Sequence, residues 1–186
     1  MSGRAAYTLP RIKAVIGHVP QKLKTGGIEP SQRARLEVLR KIVNRVVREE
    51  RAEFPWNRAV EARPYLERLI QLGVERGQHD EYTVEMMEWW LPEKDLITKM
   101  NEVIVPRFVD KEGPFTSIYR LPTQRLQQFI QNKREYWKRY DIAVLEIDGH
   151  PYPSVDCFEQ KVNSESLLNV LLRESLKNKL RSLQKV

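Results

Sequence analysis

The chain has 186 residues, of which 41% are apolar and 31% are charged, and this composition is typical of a highly charged globular domain. Its formal net charge of +7 makes a polyanion the first class of partner to consider. The single cysteine, Cys157, excludes an internal disulfide framework and a zinc site built from several cysteines. No apolar stretch approaches the roughly 20 residues that a membrane-spanning helix needs.

The positive charge is concentrated at the N-terminal end. Residues 1–28 contain no acidic residue, and their basic residues are Arg4, Arg11, Lys13, Lys22 and Lys24. Residues 52–105 are acidic overall. The segment 1–30 has two main interpretations, a mitochondrial transit peptide or a basic arm that folds only against RNA, and both roles coexist if cleavage falls early. A tail without a function is the third alternative.

The first helix is predicted to follow Pro30, with Ser31 as its N-cap, and to run to about Glu50. Its apolar stripe at three- and four-residue spacing consists of Leu36, Leu39, Ile42, Val43, Val46 and Val47. The opposite arc holds Arg33, Arg40, Lys41, Asn44, Arg45, Arg48 and Arg51. This pattern predicts one core face and one cationic face. The alternative for the second face is a solvated charged surface.

Four further elements are expected before residue 107. Arg51–Trp56 is read as a brief edge strand or extended link, because it is short and contains a proline. Trp56–Leu72 is helical by its apolar spacing, and Pro64 either starts a new helix there or kinks this one. An acidic helix is predicted over Asp80–Trp90, and an amphipathic helix over Pro92–Pro106.

The second half of the chain contains segments whose residue pattern is typical of strands instead of helices. Phe115–Leu121 and Ile142–Ile147 are predicted strands, rich in β-branched and aromatic residues. The charged segment 122–140 between them is interpreted as an insertion that is partly helical. A C-terminal helix is predicted over 163–183, with a wide leucine stripe that docks either on a neighbouring protein or on the protein's own sheet.

Candidate catalytic residues are sparse. The three histidines lie in separate loop-like segments without metal-ligand spacing, and a pair formed by His150 and Cys157 lacks a third orienting group. There is no glycine-rich phosphate loop and no His-Glu-x-x-His pattern. The sequence therefore predicts no catalytic residue, no metal site and no cofactor.

One aromatic pair, Tyr136-Trp137, is a candidate for stacking on nucleic-acid bases, because it is flanked by cations. The flanking residues are Lys133, Arg134, Lys138 and Arg139. The alternative interpretation is a solvated helix face with one anchored ring.

Residues 105–121 resemble a known family, the seventeenth protein of the bacterial large ribosomal subunit. The signature of that family is Pro-Arg-(Phe/Tyr), a short basic loop, and Gly-Gly-Tyr-Thr-Arg-Ile. The positions that match or substitute closely are Pro106, Arg107, Phe108, Gly113, Phe115, Thr116 and Ile118. Pro114 replaces the second glycine of the signature and Ser117 replaces its arginine.

The resemblance extends over about 31–147. Leu39–Lys41 and Val47–Arg51 are similar to two family segments in the same register, and Ala143 and Glu146 fit the pattern of its last strand. Two further segments, Ala52–Trp56 and Trp90–Leu96, resemble the mitochondrial branch of the family.

The resemblance implies an α+β fold, a two-layer α/β domain in the order helix, short strand, three helices and two strands. The domain boundaries expected from it are a basic N-terminal arm or transit peptide at 1–30, a core at 31–147 with an insertion at 122–140, and a C-terminal helical extension at 148–186. The implied function is that of a structural constituent of the mitochondrial large ribosomal subunit in the matrix. Its implied partners are large-subunit rRNA near the peptide exit tunnel and neighbouring large-subunit proteins. The alternatives are a free RNA-binding regulatory protein and a helical scaffold protein.

Guanidinium groups on one helical arc suit successive phosphates, because each can form two parallel hydrogen bonds to phosphate oxygens. RNA binding of this kind is expected to depend steeply on salt. The predicted RNA-binding residues are Arg11, Lys13, Lys22, Lys24, Arg33, Arg35, Arg40, Lys41, Arg45, Arg48, Arg51, Arg107 and Lys111.

Overall fold

The computed structural model describes residues 11–23, 32–155 and 167–183. In chain order its elements are α1 (Gln32–Glu49), β1 (Arg51–Pro55), α2 (Trp56–Arg76), α3 (Glu81–Trp90), α4 (Lys94–Lys99), β2 (Thr116–Arg120), β3 (Gln124–Gln131), β4 (Arg134–Tyr140), β5 (Ile142–Ile147) and α5 (Leu167–Leu183). The chain to His150 forms one compact unit, and the chain from Pro151 forms a second. Within the described ranges, no helix has both the length and the apolar character needed to cross a membrane.

The central sheet contains three antiparallel strands in the order β1-β5-β2. Phe54 of β1 lies opposite Ala143 of β5, and Ile118 of β2 lies opposite Leu145. Every residue of β5 is buried, whereas β1 is an edge strand that ends at Pro55. An edge position suits Pro55, because proline has no N–H to donate to a neighbouring strand. The predicted edge strand is therefore confirmed.

Helix α1 buries the apolar stripe expected from its sequence. Leu39, Val43, Val46 and Val47 are fully buried, and α1 packs against α2 and β5. Burial of each such side chain contributes roughly 1.5–3 kcal/mol to folding, so this face anchors the helix. Ser31, the predicted N-cap, lies outside the described residues.

Helix α2 is one continuous helix with Pro64 inside it. Of the two alternatives for Pro64, a new helix start is wrong, because the packing of the buried face of α2 outweighs the local cost of a proline. A kink at Pro64 stays a prediction. Glu67 of α2 is buried and binds the start of β2. Its carboxylate accepts hydrogen bonds from the N–H groups of Phe115 and Thr116 at 2.8–3.1 Å and from the Thr116 hydroxyl at 2.5 Å.

The acidic helix forms as expected, whereas the predicted helix over 92–106 is α-helical only at Lys94–Lys99 and continues as turns of two other helical types. Asp80 caps α3 by accepting hydrogen bonds from the Thr83 N–H at 3.1 Å and the Thr83 hydroxyl at 2.9 Å. After α4 the chain continues through a π-helical turn at Met100–Ile104 and a 3-10 turn at Val105–Phe108. Trp90 is buried against Tyr65, with ring centroids 4.9 Å apart.

The segment 122–140 contradicts the expectation of partial helix, because it forms the β-hairpin β3–β4. Asn132 and Lys133 form its two-residue turn, and both have positive φ values, 52° and 60°. Asparagine tolerates this left-handed conformation, and turns of this hand match the twist of the flanking strands. The predicted order of two final strands therefore becomes four strands. The mixed α+β class is confirmed, whereas the two-layer arrangement and the domain boundaries stay predictions.

Candidate RNA interface

The described part of the N-terminal arm, residues 11–23, lies against α2. The Ile16 carbonyl accepts a hydrogen bond from the Arg63 guanidinium at 3.1 Å, and the Gln21 N–H donates to Glu61 at 2.6 Å. Lys13 forms an ion pair with Glu75 at 2.8 Å, and its hydrogen bond lowers the pKa of the Glu75 carboxyl. The expectation of an arm that folds only against RNA is therefore wrong for residues 11–23.

The predicted RNA-binding residues of this arm differ in their surroundings. Arg11 and Lys22 are exposed, and neither forms an ion pair with a described carboxylate. Lys13 is also exposed but pairs with Glu75. Lys24 lies outside the described residues. The arm therefore presents Arg11 and Lys22 to solvent, while its other side contacts the core.

Arg35 is held by a buried carboxylate. Its guanidinium pairs with Glu61, which is fully buried in α2 and also accepts the Gln21 N–H. The Nε2 atom of His18 lies 3.6 Å from the same carboxylate. A buried carboxylate needs compensating charge and hydrogen bonds, so Arg35 has a structural task whatever else it binds.

The exposed arc of α1 defines the α1 cationic face, which consists of Arg33, Lys41, Arg45 and Arg48. Arg45 pairs with Glu49 at 3.0 Å and Arg48 pairs with Glu93, whereas Arg33 and Lys41 have no ion pair within the described residues. Exposed pairs are weak, so Arg45 and Arg48 can exchange a carboxylate for a phosphate at little cost. Every member of the face thus either has no ion pair in the described ranges or is held only by a weak, exposed one.

Arg40 lies at the border of this face. Its guanidinium stacks on Trp89 at 5.3 Å from the ring centre, and its nearest carboxylate, that of Glu37, is 3.9 Å away. The Arg40 Nε is buried and has no hydrogen-bond partner among the described residues. Arg40 is thus half-buried and held against an aromatic ring.

One predicted residue, Arg107, binds Glu50 together with Lys99, which was not predicted; Glu50 has a φ of 61° directly after α1. Arg107 pairs with its carboxylate at 2.6 Å and Lys99 at 3.0 Å. Burial raises the pKa of Glu50, but the hydrogen bonds and charges of Arg107 and Lys99 outweigh it and hold the pKa below its usual value. Arg107 therefore stabilises the junction between α1 and β1.

The two remaining predicted cations also face carboxylates. Arg51 contacts Glu146 at 2.7 Å, and His150 lies 2.9 Å from the same carboxylate. Lys111 pairs with Asp148 at 2.5 Å. The Arg51–Glu146 pair links β1 to β5. The Lys111–Asp148 pair links the loop before β2 to the residue that follows β5.

The described residues contain no group of three or more His, Cys, Asp or Glu side chains placed to hold a metal ion. Cys157 lies outside them, so its predicted lack of function stays a prediction.

A family model described as Ribosomal protein L17 matches residues 38–132, just over half of the 186 residues. The chain belongs to the ribosomal protein L17 family. The matched segment of this L17-family chain includes Lys41, Arg45 and Arg48 of the α1 cationic face. The resemblance to the family is confirmed, whereas the resemblance to its mitochondrial branch stays a prediction.

Two curated relatives illustrate the similarity. The large ribosomal subunit protein bL17 of Acidobacterium capsulatum is 30% identical over 91 residues, which cover 49% of this chain and 55% of the relative. The protein of the same name from Exiguobacterium sp. is 32% identical over 101 residues, which cover 53% of this chain and 85% of the relative. The chain thus spans little more than half the length of the first relative.

Sequence reasoning missed the carboxylates that hold the cations of this L17-family chain. Glu61 and Glu93 lie on elements remote in sequence from Arg35 and Arg48, so no local spacing connects them. The available signal was Glu61 itself, because it lies among the apolar positions of a helix that packs in the core.

Proposed function

We propose that this chain is a structural, non-catalytic constituent of the large ribosomal subunit that binds large-subunit rRNA through the α1 cationic face. The observation that carries the proposal is the position of this face. Lys41, Arg45 and Arg48 lie within the segment that matches the family, exposed on a helix whose other side is buried. Such a surface neutralises successive phosphates without reading base edges.

The finer proposal is a mitochondrial ribosome, with the protein near the exit of the peptide tunnel. Its support is the resemblance of Ala52–Trp56 and Trp90–Leu96 to the mitochondrial branch, together with the acid-free N-terminus. Because residues 11–23 contact α2, a leader peptide would have to be cleaved before residue 11 to leave these contacts intact. The first residue of the protein recovered from purified large subunits, identified by mass spectrometry, tests this point.

The neighbouring proteins proposed as partners would contact α5. Val170, Leu171, Leu172 and Leu176 are exposed on this helix. Deletion of residues 162–186 separates this docking role from packing on the protein's own sheet. A shortened chain that folds but binds large subunits weakly supports docking, and a chain that no longer folds contradicts it.

The central test is co-sedimentation with large subunits on a salt-containing gradient. The double variant Arg33→Glu, Lys41→Glu removes two phosphate contacts and adds repulsion, so affinity for the rRNA should fall at least about tenfold. The matched control is Lys94→Glu, which changes an exposed lysine of α4 outside the α1 cationic face.

The expected result is loss of co-sedimentation in the double variant with an unchanged circular-dichroism spectrum, and normal co-sedimentation of the control. Wild-type protein that stays at the top of the gradient would contradict the ribosomal proposal and favour a free RNA-binding regulator or a scaffold. Equal losses in the double variant and the control would show that the α1 cationic face has no special role.

A further inference from the structure

The hairpin β3–β4 exposes large apolar and aromatic side chains of the kind that proteins usually bury. Leu126 is outside the set of described side chains, and every other residue from 124 to 139 is exposed. Among them, Phe129 is 43% exposed, Ile130 71%, Tyr136 42% and Trp137 47%. Large apolar side chains gathered on one exposed element mark an interaction surface.

The hairpin is also strongly cationic. It contains one acidic residue, Glu135, against Arg125, Lys133, Arg134, Lys138 and Arg139. None of these five cations forms an ion pair with a carboxylate in the described part of the chain. The Lys138 Nζ lies over the Tyr140 ring, 5.3 Å from its centre. Because no carboxylate in the described part of the chain neutralises these five cations, they favour an anionic partner.

The strand register sorts these side chains into two faces. Phe129 lies opposite Tyr136, and their rings stack at 5.5 Å between centroids with an interplanar angle of 20°. Because successive side chains point to opposite faces, Arg134 and Lys138 lie on the same face as Tyr136, one on each side of it. This face, which we call the stacking face, consists of Phe129, Arg134, Tyr136 and Lys138.

The hairpin has a fixed base. The Leu121 N–H donates to the Ile142 carbonyl at 2.9 Å, so the pairing of β2 with β5 extends to the root of β3–β4. Asp141 accepts hydrogen bonds from Arg120 at 2.9 Å and from the Thr123 hydroxyl at 3.0 Å. The stacking face is therefore presented on a ribbon rooted in the central sheet.

We propose that β3–β4 is a second RNA-binding element, which binds an unpaired segment of RNA by base stacking on Phe129 and Tyr136 and by contacts of Arg134 and Lys138 with the adjacent phosphates. Aromatic rings between cations bind single strands in this way, because every base has a stacking surface. The deep and narrow major groove of an A-form duplex does not admit such side chains, so a loop or bulge fits better than a helix. That this RNA is ribosomal rests on the proposed function.

The first experiment measures binding of the full-length protein to a labelled single-stranded oligouridine and to an RNA duplex by fluorescence anisotropy. Loss of the Tyr136 ring removes one stacking partner, so Tyr136→Ala should weaken single-strand binding at least about fivefold, whereas Tyr136→Phe should retain it. The matched control is Gln128→Ala on the opposite face.

The double variant Arg134→Gln, Lys138→Gln should reduce the slope of log K against log salt by about 1.4, since each single-strand phosphate contact contributes about 0.7.

Two results would overturn the inference: unchanged single-strand binding in Tyr136→Ala, or an equal loss of single-strand and duplex binding in that variant. Photo-crosslinking of assembled subunits distinguishes RNA from protein as the partner. A crosslink from the hairpin to RNA supports the inference, and a crosslink to a protein contradicts it. If only the inference about the hairpin is wrong, the α1 double variant Arg33→Glu, Lys41→Glu still loses co-sedimentation. If the proposed function is wrong, the wild-type protein does not co-sediment with large subunits, but its hairpin still binds oligouridine measurably.

Discussion

Helix α1 and the hairpin β3–β4 are both rich in arginine and lysine, but they use these residues differently. On or near α1, Arg35, Arg45, Arg48 and Arg51 each pair with a carboxylate of the same chain. On the hairpin, the cations have no carboxylate partner among the described residues. The number of basic residues in a segment therefore does not measure how many of them are free of an ion pair within the fold.

The difference follows from packing. α1 lies between α2, α3, α4 and the sheet, where acidic residues of the middle of the chain meet its arginines. The hairpin continues from the end of the central sheet, and no carboxylate of the described ranges forms an ion pair with its cations. Cations near α1 therefore stabilise the fold in proportion to their burial, whereas cations of the hairpin should be almost neutral for stability.

The largest expected effect is that of Arg35→Ala. This change leaves the fully buried Glu61 without its guanidinium partner, and breaking such a pair costs about 3 kcal/mol of unfolding free energy. Urea denaturation monitored by tryptophan fluorescence measures it. Arg33→Ala, two residues earlier on the same helix, is the control and should change stability by less than about 0.5 kcal/mol. Equal effects of the two variants would contradict the claim that the Arg35–Glu61 pair stabilises the fold.

An intermediate effect is expected for Glu50→Gln, which weakens the contacts with Arg107 and Lys99 by about 1.5 kcal/mol at neutral pH. The pKa of Glu50 is lowered in the folded state, so its contribution is complete above the usual value of 4.5 and is lost as the pH falls through the folded pKa. The stability difference between wild type and variant should therefore shrink below pH 4.5. A pH-independent difference would assign the effect to shape instead of charge. Glu49→Gln, at an exposed pair, is the control.

The smallest expected effect on stability is that of Arg134→Gln, Lys138→Gln in the hairpin. Neither side chain pairs with a described carboxylate, so the unfolding free energy should change by less than about 0.5 kcal/mol. The same urea titration measures it beside Arg35→Ala. A loss of more than about 1 kcal/mol would mean that these cations are part of the fold, and the contrast with α1 would disappear.

The sequence predicted what depends on local pattern. The apolar stripe of α1 predicted its buried face, Pro55 indicated an edge strand, and the motif around Arg107 identified the family. The hairpin was missed because the turn at Asn132 and Lys133 lacks the usual glycine, and charged residues occupy both strands. With no buried face, β3–β4 has no strict apolar alternation to reveal it.

The candidate interface was predictable only in part, for a different physical reason. Helical spacing placed the arginines of α1 on one arc, but it could not show which of them meet a carboxylate. Arg35 pairs with a residue 26 positions away, and Gln21 binds that same carboxylate from 40 positions away. Such pairings depend on how the helices pack, and packing is not encoded at any single spacing.

The contacts of residues 11–23 with α2 also set an order of events during synthesis. The Ile16 carbonyl accepts a hydrogen bond from Arg63, which is 47 residues further along the chain, and the Gln21 N–H donates to Glu61, which is 40 residues further along. When the first residues leave the ribosome that makes them, the surface that receives them does not yet exist. This stretch therefore cannot reach its native contacts until the second helix has been made, and it becomes part of the native protein only after that.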